Sequence, residues 1–269
     1  MSLRVVAWNM QHQKEAANWD RLLDWSPITR ARLYLLCEAV PPPKHIMDEL
    51  CVAMHGSTKE TRCPCEGDKC DNRTFSTAIA SPDRVEPLSF RPRVRYGTWI
   101  ACRVQMGALP VTAIALYGLK DEAYTSYWES TKESISEIFP ILEDKEYGKH
   151  VLLAGDFNIL AGAPRYGGHQ VLEAIEGYGL VDCLKAKVPE SRYNDARRRK
   201  DMDDCQCGMG PECLHTRTFL MPSDAETPHQ DDYLFASGEL ADLLVTCEAL
   251  PLDRSSHSDH APIVAEFDI

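Results

Sequence analysis

Short apolar runs that stop on an acid, an amide or an imidazole recur from one end of this 269-residue chain to the other. Arg4 to Asn9 is rich in β-branched and aromatic residues and ends on an amide. Arg32 to Cys37 closes on Glu38, Pro110 to Tyr117 ends on a phenol, and His150 to Ala154 runs into Gly155-Asp156-Phe157-Asn158. Asp232 opens a run to Ala236, and Asp259-His260 stands before the last run, Pro262 to Ile269. Runs of this length and composition read as strands. Thr74 to Ser81, Gly97 to Gln105, Leu180 to Leu184 and Thr216 to Leu220 read the same way. Helical spacing is confined to 15–25, 45–55, 123–142 and 168–179. Many strands with few, scattered helices predict an α+β fold. Two packed sheets with helices outside fit better than a doubly wound parallel sheet.

The chain is long enough to bury one sizeable core or two small ones. No apolar run approaches the roughly 18 residues that span a membrane. The segment Met1 to Trp8 reads as a strand rather than a secretory signal, so a cytoplasmic protein with no membrane partner is expected. A formal net charge of −12 counts against broad, nonspecific duplex binding. It leaves room for an enzyme whose metals and local basic loops meet phosphates. Arg197-Arg198-Arg199-Lys200 is one such loop, or else a solvated charge run. The sequence leaves the oligomeric state open.

Taken singly, an Asp, Asn or His at a strand end is most often a turn or surface residue. Together, Asn9, Glu38, Tyr117, Asp156, Asn158, Asp232, Asp259 and His260 form the set that metal-assisted phosphate chemistry requires. Oxygen ligands suit Mg²⁺ or Mn²⁺, which keep waters for exchange with substrate. A nearby carboxylate can orient and deprotonate the attacking water. An imidazole paired with a carboxylate can stabilise charge on the transition state.

Trp8-Asn9, Leu36-Cys37-Glu38, Leu116-Tyr117, Gly155-Asp156-Phe157-Asn158, Asp232-Tyr233 and Ser258-Asp259-His260 resemble the motifs of the endonuclease/exonuclease/phosphatase superfamily, which includes the exonuclease III-like and DNase I-like phosphohydrolases. They follow that family's order over nearly the whole chain. The resemblance implies a single domain, 1–269, with a four-layered αββα sandwich. It also implies roles. Glu38 is the main metal ligand, supported by Asn9 and Asp259. Asp156 positions or deprotonates water, and Asn158 holds that water or the phosphate. His260 contacts the scissile phosphate, with Asp232 or Asp259 as its partner. Tyr117 binds phosphate or assists the leaving oxygen. Two positions depart from the pattern. Gln11 stands where the DNA-repair members carry an acid, and Asp231 replaces a usual apolar residue.

Of the 11 cysteines, Cys37, Cys102 and Cys183 lie in apolar segments and read as small core residues. His55, Cys63, Cys65 and Cys70 form one group; Cys205, Cys207, Cys213 and His215 form another. Each has three thiols and a histidine, enough for a structural Zn²⁺, or the two could share one ion. Unpaired thiols, disulfides and an iron–sulfur cluster are the alternatives. The irregular stretches that hold them, about 55–73 and 187–215, read as insertions that shape access to the site.

The function expected from these features is divalent-metal-dependent phosphoester hydrolysis, foremost by a nuclease acting on DNA or RNA. A phosphatase or phosphodiesterase for a small molecule or lipid headgroup is the alternative. A silent binding module of the same fold fits less well, because every catalytic residue type is present.

Overall fold

Alternation along β1 (Ser2–Asn9) divides the interior of the computed structural model in two. Leu3, Val5 and Ala7 enter one core, whereas Val6 and Trp8 enter another on the opposite face. Successive strand side chains point to opposite faces, so a strand apolar throughout must be covered twice. The structure describes residues 2–11, 17–56, 76–93, 97–119, 127–160, 167–192, 215–221, 224–251 and 258–269.

The first sheet is ordered β13 (Leu244–Ala249), β14 (Ile263–Asp268), β1, β2 (Leu33–Cys37), β4 (Ser76–Ser81) and β3 (Cys51–Gly56). The second is ordered β5 (Val85–Pro87), β6 (Trp99–Met106), β7 (Leu109–Tyr117), β8 (Val151–Asp156), β12 (Asp232–Ser237) and β9 (Leu180–Asp182). A separate pair joins β10 (Phe219–Met221) to β11 (Asp224–His229). Each large sheet has one parallel pair at its centre, β1–β2 and β7–β8, with antiparallel neighbours on both sides.

The inter-sheet core holds Val5, Leu35, Ile79, Cys102, Ala113, Leu152, Leu234 and Phe267. Helices α1 (Ala17–Asp24) and α2 (Lys44–Glu49) cover the outer face of the first sheet with Trp19, Leu22 and Ile46. Helices α3 (Tyr127–Glu143) and α4 (His169–Gly177) cover the second with Ile135, Ile138, Val171 and Ile175. Cys183 and Leu184 of α5 (Cys183–Arg192) and Leu240 of α6 (Gly238–Ala241) join the inter-sheet core. The expected four-layered αββα sandwich is therefore the observed one.

Local departures have physical causes. The expected helix at 45–55 ends after one and a half turns, and Cys51–Gly56 instead pairs with β4 along its whole length. Its side chains alternate between two cores, Ala53 in the inter-sheet core and Val52 and Met54 against the outer one, which suits a strand better than an isolated helix. Leu180 to Leu184 is a strand only to Asp182. Asp182 then accepts the Lys185 backbone N–H at 3.1 Å and starts α5 as a helix cap. The stretch read as irregular from Lys187 accordingly begins as helix up to Arg192.

Candidate active site

Strand directions bring the strand-end residues together. The parallel strands β1, β2, β7 and β8 all end at one edge of the sandwich. Antiparallel β12 and β14 start there, with Asp232 beside Asp156 in register and Ile263 beside Ala7. Asn9, Glu38, Tyr117, Asp156, Asn158, Asp232, Asp259 and His260 thus lie at this edge, although they span most of the sequence.

Asp156 is the fixed centre, only 2% exposed. Its Oδ2 accepts Asn9 Nδ2 at 2.9 Å and Asn158 Nδ2 at 3.1 Å, and its Oδ1 accepts the Asn158 backbone N–H at 2.8 Å. Asn158 adopts a left-handed φ of 50° and also donates to the Gly118 carbonyl at 2.5 Å. Burial raises the Asp156 carboxyl well above the usual carboxylate range. The His260 imidazolium opposes this, and Asp232 and Asp231 add to it. Gly155 has φ 140°; a Cβ there would stand 2.0 Å from the Leu116 carbonyl and 2.7 Å from Cys37 Sγ. Only glycine lets β8 approach β7 and β2 so closely.

His260 faces two acids. Its Nδ1 donates to Asp232 Oδ2 at 2.8 Å, since a carboxylate can only accept. Its Nε2 lies 3.9 Å from Asp156 Oδ2 and 3.9 Å from Asp259 Oδ1. Burial alone would lower the imidazole pKa, but Asp232 and Asp156 raise it well above the ordinary value. The backbone around it is also held. Trp8 Nε1 donates to the His260 carbonyl at 3.1 Å. Ser258 Oγ accepts the His260 N–H at 3.1 Å and donates to the Asn9 carbonyl at 2.7 Å.

The remaining predicted residues form a looser group. Glu38 has a left-handed φ of 48°, is partly exposed and is hydrogen-bonded to Tyr117. Burial raises the Tyr117 phenol well above its usual value, with Glu38 and Asp156 acting in the same direction. Burial likewise raises the Asp259 carboxyl, against the pull of His260. Asp259 Oδ1 and Asp232 Oδ1 are buried with no hydrogen-bond partner. Asn9 Oδ1 takes the Gln11 N–H at 2.9 Å.

Thr218 and Phe219 at this edge escaped sequence reasoning, and Cys37 and Asp231 have contacts or burial that it did not reveal. Thr218 Oγ1 accepts the backbone N–H groups of both Asp231 and Asp232 at 3.0 Å, and the Thr218 carbonyl accepts Ala261 N–H at 2.7 Å. The neighbouring Phe219 ring packs on the His260 ring, centroids 4.7 Å apart. Cys37, read as a core thiol, is buried but also bridges the sheets. Its Sγ donates to the Leu116 carbonyl at 2.9 Å and accepts Asp156 N–H at 3.4 Å. Asp231 is 5% exposed, and burial pushes its carboxyl up to about 7, with His260 opposing and Asp232 and Asp259 adding. The only hint of the Thr218 role was a threonine three residues beyond the second insertion.

Cys63, Cys65, Cys70, Cys205, Cys207 and Cys213, like the basic run 197–200, lie outside the described residues. His55 stands in β3, with Nδ1 3.1 Å from the Trp99 carbonyl and 3.3 Å from Gly97 N, and burial lowers its pKa. His215 is partly buried in the segment that leads to Thr218. Gly56 and Ser76, which flank the first cysteine-bearing stretch, are register partners at the site edge.

No protein-family model matches the chain, and no curated protein matches it. Solved structures do. An AP endonuclease from Archaeoglobus fulgidus, 16% identical, matches over 99% of this chain and 100% of its own with a TM-score of 0.67. The chain shares the fold of this endonuclease. The 3′ phosphatase NExo from Neisseria, bound to product DNA hairpin, matches over 99% of this chain and 100% of its own at 17% identity and a TM-score of 0.66. The endonuclease domain of TRAS1, a telomere-specific non-LTR retrotransposon, matches over 99% and 98% at 17% identity and a TM-score of 0.60. The fold shared with these structures spans nearly the full length of this chain. Among the described residues, no helix is long and apolar enough to cross a membrane.

Proposed function

We propose that the chain is a divalent-metal-dependent phosphoester hydrolase that cleaves phosphodiester bonds of nucleic acid, DNA or RNA, by in-line attack of water. One observation carries this reading. A buried His260–Asp232 pair and an amide-clamped Asp156 meet at the edge that also holds Glu38, Tyr117 and Asp259. The solved NExo phosphatase, bound to product DNA hairpin, supports a nucleic-acid substrate for this fold.

The donor set fits a hard cation. Glu38 and Asp259 supply carboxylate oxygens, and Asn9 Oδ1 keeps a second lone pair beyond its bond to Gln11. The Asp259 Oδ1 atom is buried without a protein donor, which a cation would remedy. Asp156, Asp232 and His260 also offer atoms within 4.8 Å of one another. Their hydrogen bonds to one another and to two amides favour proton handling there, with the ion on the Glu38 side. A Mg²⁺ or Mn²⁺ ion would polarise the phosphoryl oxygen and offset its charge.

The protein's own groups account for the rest. Asp156, immobilised by Asn9 and Asn158, orients the attacking water and takes its proton. Asp232 keeps His260 protonated on Nδ1 and correctly turned, so the Nε2 edge faces the phosphate as a charge stabiliser. Tyr117, kept protonated by burial, supplies a phenolic hydrogen bond to phosphate or leaving oxygen. The net charge of −12 favours a second reading, hydrolysis of a small phosphate ester. A structural Zn²⁺ on the two cysteine groups belongs to the same proposal. The first stretch joins the described chain at the site edge on both sides and the second rejoins it just before Thr218, so a metal clip on them would shape the entrance.

The test offers single-stranded DNA, duplex DNA, RNA and small phosphate esters with Mg²⁺ or Mn²⁺, with His260→Ala and Asp156→Ala in parallel. Cleavage that disappears in both variants supports the assignment. Cleavage that persists in both marks a contaminant and overturns it. Elemental analysis of protein purified without chelator decides the zinc question, and a result near zero metal per chain removes that part.

A further inference from the structure

Asp231 is the acid at this edge that hydrolysis does not use. Its backbone is pinned on both sides: its N–H donates to Thr218 Oγ1 at 3.0 Å, and its carbonyl accepts Phe157 N–H at 2.9 Å. The side chain therefore does not hold the turn. It is nevertheless 5% exposed, and its Oδ1 is buried with no hydrogen-bond partner. The charged groups that act on it are His260, Asp232 and Asp259, and it acts in turn on Asp156. Its neighbour Asp232, bonded to His260, and its ladder partner Phe157, next to Asp156, set it beside the place where the scissile phosphate is to be held. A buried carboxylate oxygen without a donor is costly, and an apolar side chain of similar size would avoid that cost. The geometry calls for a donor from outside the protein. A cation is the poorer candidate: the convergent three-ligand group among the described residues is Asp156, Asp232 and His260, without Asp231.

We propose that Asp231 is a specificity-determining residue, whose carboxylate accepts a hydrogen bond from a donor that the substrate carries beside the scissile phosphate. This rests on the hydrolase reading above. Two substrate groups supply such a donor, the ribose 2′-hydroxyl and a nucleobase N–H. A substrate without one brings phosphate charge against an unpaired carboxylate. Selection therefore works by penalty as well as by attraction.

The experiment compares kcat/KM of the wild type, Asp231→Asn and Asp231→Leu on oligonucleotides of one sequence. A sugar arm places deoxyribose, ribose or 2′-O-methylribose on either side of the cleaved bond. A base arm keeps the sugar and replaces the flanking base with an abasic site. Wild type is expected to prefer the donor-bearing substrate by at least about tenfold in one arm, the worth of one hydrogen bond to a charged group. Asp231→Leu is expected to bring that ratio to within about twofold of unity, with a Tm no lower than wild type, since it removes the unpaired oxygen. Asp231→Asn keeps the shape and is expected to fall between. Equal ratios in wild type and Asp231→Leu, or wild-type indifference in both arms, overturn the proposal and leave the hydrolase reading standing. A wild type that cleaves none of these oligonucleotides overturns the nuclease reading and this proposal together.

Discussion

The two large sheets share one strand pattern, yet they furnish the site in different ways. The second sheet supplies Asp156, Asn158 and Asp232. They are locked by short hydrogen bonds, and Asp156 and Asp232 are each 2% exposed. The first sheet supplies the buried Asn9, which clamps Asp156, and also Glu38 and, just before β14, Asp259, which are partly exposed. His260 also leads into the first sheet but hydrogen-bonds to Asp232 at the start of the second. On the proposed mechanism, the contrast separates two demands. Groups that move protons need fixed geometry. Groups that hold an exchangeable ion must remain open to water and substrate.

The largest expected effect comes from breaking the rigid half. His260→Ala or Asp156→Asn should lower kcat by about 10³-fold with the circular dichroism spectrum unchanged, because a positioned charge stabiliser and a positioned base are each worth roughly that factor. Breaking the open half should look different. Glu38→Gln should raise the Mg²⁺ concentration for half-maximal activity at least about tenfold, and Mn²⁺ binding followed by electron paramagnetic resonance should weaken in parallel. A similar kcat loss in both halves with no change in ion affinity would erase the distinction.

Thr218 tests whether the locked half depends on its support. Thr218→Val leaves two buried N–H groups without an acceptor and should cost about 2 kcal/mol in urea denaturation. Thr218→Ser should recover most of it. The smallest effect at any single pH should come from Asp182, a helix cap away from the site edge. Burial raises its pKa from 3.8 to about 6. The folded state therefore keeps this proton to higher pH than the unfolded chain does. The unfolded chain binds fewer protons between these values, so the group's contribution to stability declines as pH rises through them. Asp182→Asn should flatten that slope and still cap α5, which denaturation at the two ends of the window would measure.

Much of this layout was legible in order and type. Strand runs ending on Asn9, Glu38, Tyr117 and Asp156 were visible because a strand apolar on both faces must stop where the chain meets water. What hid the rest was sequence distance and backbone chemistry. Thr218 acts through its hydroxyl on two N–H groups, which no side-chain pattern reveals. Cys37 has the same letter as a core cysteine, and only its nearness to Leu116 and Asp156 makes it a bridge between sheets. The helix expected through 45–55 failed because pairing with β4, which sets Met54 opposite Ala78, 24 residues away, outweighed local spacing.

The sequence by itself determined which residue types reach the ends of the strands, and so the kind of chemistry this chain can perform. Periodicity and strand punctuation are local properties, and local properties are written in consecutive residues. Tertiary structure decided which of those ends meet. It made Asp232 the partner of His260, clamped Asp156 between Asn9 and Asn158, and left Asp231 beside the site with a buried, unpaired oxygen. Those choices depend on strand direction, register and the approach of two sheets, which arise only when residues far apart in the chain are packed together.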